Sequence, residues 1–257
     1  MVIALLTDFG TADHYVAAMK GAILSIAPAA TIVDVTHDIQ PQNIRAGAFI
    51  LSQCFLDFPA ATVFVAVVDP GVGSARKALA VGSGGFTFVA PDNGILSWVL
   101  EKGAFVAFEI ANSRFMSAAV SSTFHGRDVF APAAAHIING TAIEEFGPKV
   151  SEPLLFDLIT PLNNDDGTIT GQVLHVDRFG NLITNFTIAD IAGGIAKIGL
   201  GDLSVNHVFN NFEGGEAGQL FAYLGSGGFV EIALKNGSAQ AKAGAVAGDT
   251  VILHLRP

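Results

Sequence analysis

Cysteine is nearly absent: the 257 residues hold one, Cys54, so no internal disulfide can form, which fits a reducing cytoplasm. Charge is scarce and mostly of one sign, with 14% charged residues and a formal net charge of −10. No Lys- or Arg-rich run occurs, so a broad phosphate-binding surface is excluded and nucleic acid is not an expected partner. Long apolar runs are also missing, because Gly, Pro or charge breaks each segment short of the ~18 residues a membrane span needs. No membrane partner is expected either. Val2–Leu6 runs straight into Thr7-Asp8 without the basic start, long apolar core and small-residue cleavage site of a secretory signal, and a cytoplasmic location is expected. Nor do the histidines group with Cys or carboxylates at metal-ligand spacing. Gly71-Val72-Gly73 lacks the third glycine and helix-opening context of a dinucleotide fingerprint, and no phosphate-loop Gly-Lys-Ser/Thr is present.

What the chain does contain is glycine (29), phenylalanine (20) and short apolar segments, the composition of a sheet-rich, tightly turned protein. Over residues 1–150, β-branched runs alternate with helical ones: strands at Val2–Leu6, Thr31–Val35, Thr62–Val68, Ala78–Val81 and Phe86–Ala90, helices at His14–Ala27, Asn43–Leu56, Ile95–Glu101 and Val129–Ile138. This predicts an α/β domain with a mostly parallel sheet flanked by helices, Asp13 capping the first helix and Cys54 in the core. Residues 151–167, rich in Pro, Asn and Asp, read as a linker. From 168 to 257 short alternating segments separated by turns predict a small antiparallel β-barrel domain.

Several loops carry chemistry-bearing residues. Thr62–Val68 ends on Asp69-Pro70-Gly71-Val72-Gly73-Ser74-Ala75-Arg76, where Pro70 stops ladder pairing and the glycines allow the chain to turn Arg76 back toward Asp69. The pair is a ligand site at a strand mouth or an ion pair pinning a loop. The first strand likewise ends on Asp8. Asp92 and Asn93 stand where they cap the next helix or face a ligand, and His125 stands before a helix start, where an imidazole tends to stay neutral. Asp177–Asn181 and Gly225–Gly228 read by themselves as hairpin turns.

Taken in order, TDFG (Thr7–Gly10), VVDPGVGSAR (Val67–Arg76), APDNG (Ala90–Gly94), TFHGRD (Thr123–Asp128), DRFGN (Asp177–Asn181) and GSGGFVEIA (Gly225–Ala233) resemble the S-adenosyl-L-methionine hydroxide adenosyltransferases, homologues of the bacterial fluorinase and chlorinase. The resemblance spans both expected domains. It implies hydrolysis of S-adenosyl-L-methionine to adenosine and methionine by attack of water at C5′, and a homotrimer with sites between subunits. It further implies that S-adenosyl-L-methionine is the substrate, with no separate cofactor and no metal. Carried over by residue, Asp69, Arg76 and His125 form the catalytic set, with Asp69 or His125 as base, and Asp8 holds the ribose hydroxyls. Asp177 receives the methionine ammonium, Asn181 contacts adenine, Ser226 lies in the C-terminal ligand loop, and Asn93 joins the substrate-binding candidates. Gly227 stands where some members carry a polar or basic side chain, leaving the methionine carboxylate without that partner. The halogenases carry tyrosine in place of Asp69, a departure that favours water over halide; halide transfer to the same carbon is the alternative reaction, and a non-catalytic S-adenosylmethionine or adenosine binder the alternative class.

Overall fold

The computed structural model of the chain describes residues 1–256 and divides into two compact units, Met1–Asp157 and the residues from Leu158 onward. In the first unit β1 (Val2–Thr7), β2 (Thr31–Thr36), β3 (Val63–Val67), β4 (Ala78–Ser83), β5 (Phe86–Pro91), β6 (Phe105–Glu109) and β7 (Lys149–Val150) form one sheet in the order β2-β1-β3-β5-β4-β6-β7. The strands β2, β1, β3 and β5 run parallel, whereas β4, β6 and β7 pair antiparallel. The sheet is therefore mixed, which corrects the expectation of a mostly parallel one. Its cause is Gly84-Gly85: with φ of 59° and 85° these glycines close a two-residue hairpin that pairs Ser83 with Phe86. A two-residue connection cannot make the crossover that parallel pairing requires.

Four helices cover the two faces: α1 (Tyr15–Ile26), α2 (Ile44–Cys54), α3 (Ser97–Leu100) and α4 (Ala131–Ile138). Side chains alternate along each strand, so Val63, Val65 and Val67 of β3 pack with Met19 and Ile23 of α1 and Ala134 of α4, while Phe64 and Ala66 pack with Leu51 of α2 and Val99 of α3. Burial on both faces explains why these strands read as unbroken apolar runs. Asn43 caps α2, its Oδ1 accepting from Ala46 N at 3.0 Å. Asp13 does not cap α1, whose N-cap is His14 with no side-chain cap bond. Cys54 is half-buried at the end of α2, and burial together with Asp57 pushes its thiol up to about 11.

The second unit holds β8 (Leu162–Asn163), β9 (Thr168–Val176), β10 (Leu182–Thr187), β11 (Ile195–Leu200), β12 (Leu203–Val205), β13 (His207–Val208), β14 (Leu220–Leu224), β15 (Phe229–Leu234), a short α5 (Ala239–Ala243) and β16 (Thr250–Leu255). Its sheet runs β12-β11-β16-β9-β10-β15-β14-β13, with β8 on β9, and is antiparallel except for β13 beside β14. The two ends of the sheet approach each other, β12 against β14 and β11 against β13, giving a nearly closed barrel around Val173, Phe186, Ile198, Val230 and Leu253. Among the described residues no helix is long and apolar enough to cross a membrane.

Candidate active site

The chain leaves β1 to one side for β2 and comes back to the other side for β3, so the carboxyl ends of β1 and β3 flank a topological switch point, where open sheets bind ligands. Thr7 pairs with Val67 across it, and Asp8 and Asp69 follow at the same edge. The turn after β3 brings Arg76 back onto Asp69. Arg76 Nε lies 3.0 and 3.1 Å from the two Asp69 oxygens, and Nη2 donates a further, short bond to Oδ2. Both side chains are withdrawn from solvent, Asp69 at 4% and Arg76 at 10% exposure. Gly73 carries the positive φ of this turn (77°), and a Cβ there would meet Ser122 O at 2.2 Å, so the Asp69 loop packs directly on the segment leading to His125. Gly71, expected to share the conformational role, has no positive φ.

His125 stands at the N-terminus of a single π-turn, Gly126–Phe130, that leads into α4. Its Nδ1 lies 2.8 Å from Arg76 Nη2. A guanidinium has no lone pair to offer, so Nδ1 is the acceptor and the neutral ring carries its proton on Nε2. Burial first, and the charge of Arg76 second, hold His125 below the usual imidazole range. The ring is thus a neutral donor whose one lone pair is already used. Arg76 also lies over the Phe130 ring, 5.1 Å from its centroid. In the same motif Asp128 is structural: burial would raise it, but bonds from Arg127 and from Ser121 N keep it ionised, and these tie down the preceding loop.

Asp8 is held by Gln42 N, which donates to its Oδ2 at 2.8 Å, while Oδ1 has no partner among the described residues. The loop bearing Asp8 is gripped by buried His37, a residue that sequence reasoning missed. The His37 Nδ1 lies 2.8 Å from Thr7 Oγ1, and its carbonyl accepts from Gly10 N at 2.8 Å. Its Nε2 is 3.0 Å from Asp34 Oδ1 but off the hydrogen-bond line, and Asp34 in turn pairs with Lys20. Phe9 and Phe124, the neighbours of Asp8 and His125, meet edge-to-face at 6.0 Å and join the two loops.

Asn93 and Asp92 are placed differently from the ligand-facing expectation. Asn93 Nδ2 donates to Val68 O at 2.8 Å and Oδ1 accepts from Ile95 N, which fixes the backbone immediately before Asp69. The Asp92 Oδ1 accepts from Leu154 N instead of capping α3.

In the second unit, Asp177, Asn181 and Ser226 line one cavity of about 780 Å³ together with Phe179, Phe212, Tyr223, Glu231 and Leu234. That is a fitting size for a small-molecule site. Asp177 and Asn181 are bonded to each other: Asp177 Oδ1 accepts from the N–H groups of Phe179 and Asn181, and Oδ2 from Asn181 Nδ2 at 2.8 Å. Gly180, φ 82°, closes this turn against Ser238, whose Oγ would lie 2.1 Å from a Cβ at that position. In the Gly225–Gly228 turn the N–H groups of Ser226 and Gly227 have no acceptor among the described residues. A second depression of about 950 Å³, lined by Lys197, Lys242, Asp249 and His254 among others, contains none of the expected site residues.

Two family models match the chain, the SAM hydroxide adenosyltransferase N-terminal domain over residues 3–147 and its C-terminal domain over 171–252. The (R)-S-adenosyl-L-methionine hydrolase of Salinispora arenicola is 40% identical over 241 residues, 92% of this chain and 91% of that protein. The hydrolase of the same name from Thermus thermophilus is 40% identical over 260 residues, 98% of each. The crystal structure of an uncharacterized conserved protein from Thermotoga maritima aligns with a TM-score of 0.92 at 35% identity, covering 98% of this chain and 99% of that one.

Proposed function

Since the chain belongs to the SAM hydroxide adenosyltransferase family, we propose that it hydrolyses S-adenosyl-L-methionine, in the (R) form named for its relatives, to adenosine and L-methionine. A water oxygen bonds to C5′, the C5′–S bond breaks with its electron pair returning to sulfur, and one proton is released. The sulfonium is already a good leaving group, so the protein's task is to hold the nucleophile in line and favour its developing charge. The observation that carries this reading is the Arg76 guanidinium bridging Asp69 and His125 at the switch point, with Asp8 on the same edge.

Within that set, Asp69 orients the water and takes its proton, because the His125 lone pair is occupied by Arg76. His125 offers Nε2–H to an oxygen acceptor, and Asp8 Oδ1 accepts from the ribose diol. Asn93 acts by fixing Val68 and hence Asp69. Asp177 receives the methionine ammonium, Asn181 contacts adenine, and Ser226 with the unused N–H groups of Ser226 and Gly227 receives the methionine carboxylate, an arrangement that compensates for the missing side chain at Gly227. The reading includes a cytoplasmic homotrimer, in which the strand-end residues of one copy meet the cavity of a neighbour through head-to-tail contacts. A buried, ionised Asp69 beside the nucleophile repels chloride and accepts hydrogen bonds from water, which favours hydrolysis over halide transfer.

The test is incubation of purified protein with S-adenosyl-L-methionine, with and without chloride, and identification of the nucleoside. Equimolar adenosine and methionine in both cases supports the reading. Formation of 5′-chloroadenosine would replace it with halide transfer, and tight binding without consumption would replace it with a binding protein.

A further inference from the structure

Glu231 interrupts the otherwise apolar β15 (FVEIAL) and faces the cavity that holds Asp177. It lies directly opposite Tyr223 of β14, whose hydroxyl donates to Glu231 Oε2 at 2.5 Å. On the other side the chain at Gly225 runs against the carboxyl, since a Cβ there would sit 1.9 Å from Glu231 Oε1. The side chain is therefore set by a donor on one oxygen and by backbone on the other. No Lys, Arg or His forms an ion pair with it among the described residues. The rest of the cavity wall is largely apolar. We infer that Glu231, held by Tyr223, is a second acid at the amino-acid end of this cavity and receives the substrate's ammonium group together with Asp177. This rests on the reading that Asp177 meets that group.

The pairing has a consequence for protons. The groups that face Glu231 are Tyr223 on β14 and Asp177 at the end of β9, while β10 opposes it with Ile183. His175, beyond Ile183 in the same row of the sheet, is held below the usual imidazole range by burial. Burial and the charge of Asp177 raise Glu231, so the empty cavity retains a proton on it at a higher pH than an ordinary glutamate would. An arriving ammonium favours the carboxylate, and that proton passes to solvent.

The experiment is titration calorimetry with S-adenosyl-L-homocysteine, the unreactive thioether with the same ammonium group, in buffers of different ionisation enthalpy. Wild-type protein should release protons on binding, increasingly as pH falls toward the glutamate range, and Glu231→Gln should not. In turnover, Glu231→Gln should raise KM for S-adenosyl-L-methionine about 10-fold or more, the loss of one charge-assisted hydrogen bond. Its KM for a dimethylsulfonium adenosine analogue, which has no ammonium, should stay within about 2-fold, and this arm excludes a general folding defect. Equal proton release by Glu231→Gln, or equal KM increases for both substrates, would overturn this assignment while leaving hydrolysis intact. Failure of the wild type to bind either ligand would overturn hydrolysis and this assignment together.

Discussion

Replacing Arg76 distinguishes a catalytic guanidinium from one that only pins a loop. Its Nε and Nη2 satisfy Asp69, its Nη2 also satisfies His125, and both carboxylate and guanidinium are almost fully buried. Arg76→Ala leaves a buried carboxylate without its cation, a change that costs about 3–5 kcal/mol of stability by itself. A loss of rate in that variant alone is therefore ambiguous. Arg76→Lys keeps the charge but cannot bridge two acceptors with a planar fork, so it separates the roles. We expect Arg76→Lys to remain folded, to lose on the order of 100-fold in kcat, the cost of one electrostatic group acting on a developing charge, and to change KM only a few-fold. Wild-type turnover should persist to a lower pH than an ordinary imidazole would allow, because burial and the charge of Arg76 hold His125 below its usual range. In Arg76→Ala one cause of that depression is gone, so His125 should titrate at a higher pH than in the wild type, measurable by NMR of the imidazole. Initial rates of adenosine formation and thermal melts on the same samples complete the assay. Full turnover in Arg76→Lys would make the ion pair structural and refute the reasoning.

Three further outcomes are expected. Asp8→Ala should raise KM for S-adenosyl-L-methionine by about 10-fold or more with a smaller effect on kcat, through loss of the open carboxylate oxygen, and an unchanged KM would remove Asp8 from the ribose site. Gly73→Ala should lower the melting temperature by about 4 °C or more, because φ is 77° and the new Cβ would sit 2.2 Å from Ser122 O, and unchanged melting would show that the Asp69 loop is free to shift. Mixed oligomers of two binding-impaired variants, Asp8→Ala and Asp177→Ala, assayed at substrate concentrations well below their raised KM, should recover part of the activity after reassembly, and no recovery despite demonstrated exchange would defeat a site shared between chains.

The Asp69–Arg76 pair was legible because a β-branched run ending on Asp-Pro-Gly dictates a strand, a stop and a return. That His125 joins it was not, since residues so far apart in sequence meet only through the fold, and the family resemblance supplied that link. The mixed sheet was concealed by the same fact that made the strands easy to find: both faces are buried, so an apolar run carries no direction, and only Gly84-Gly85 betrays the hairpin. His37 gave no sequence signal, because its importance lies in gripping the Asp8 loop from the next strand connection. The position of Asn93 between a strand and a helix is compatible with either a cap or a ligand contact, and only the fold shows that its amide meets Val68 O and Ile95 N. Tyr223 and Glu231 did have a signal, a lone acid in an apolar strand paired across the ladder with a lone tyrosine, but pairing register is invisible without the structure.

The central claim is attack of water on carbon, and turnover in heavy-oxygen water tests it most directly. Adenosine should carry the label in its 5′-hydroxyl, while methionine leaves unlabelled with its thioether sulfur. Adenosine free of label would mean that the C5′–O bond formed here does not come from water, and would contradict the role given to Asp69 and Arg76.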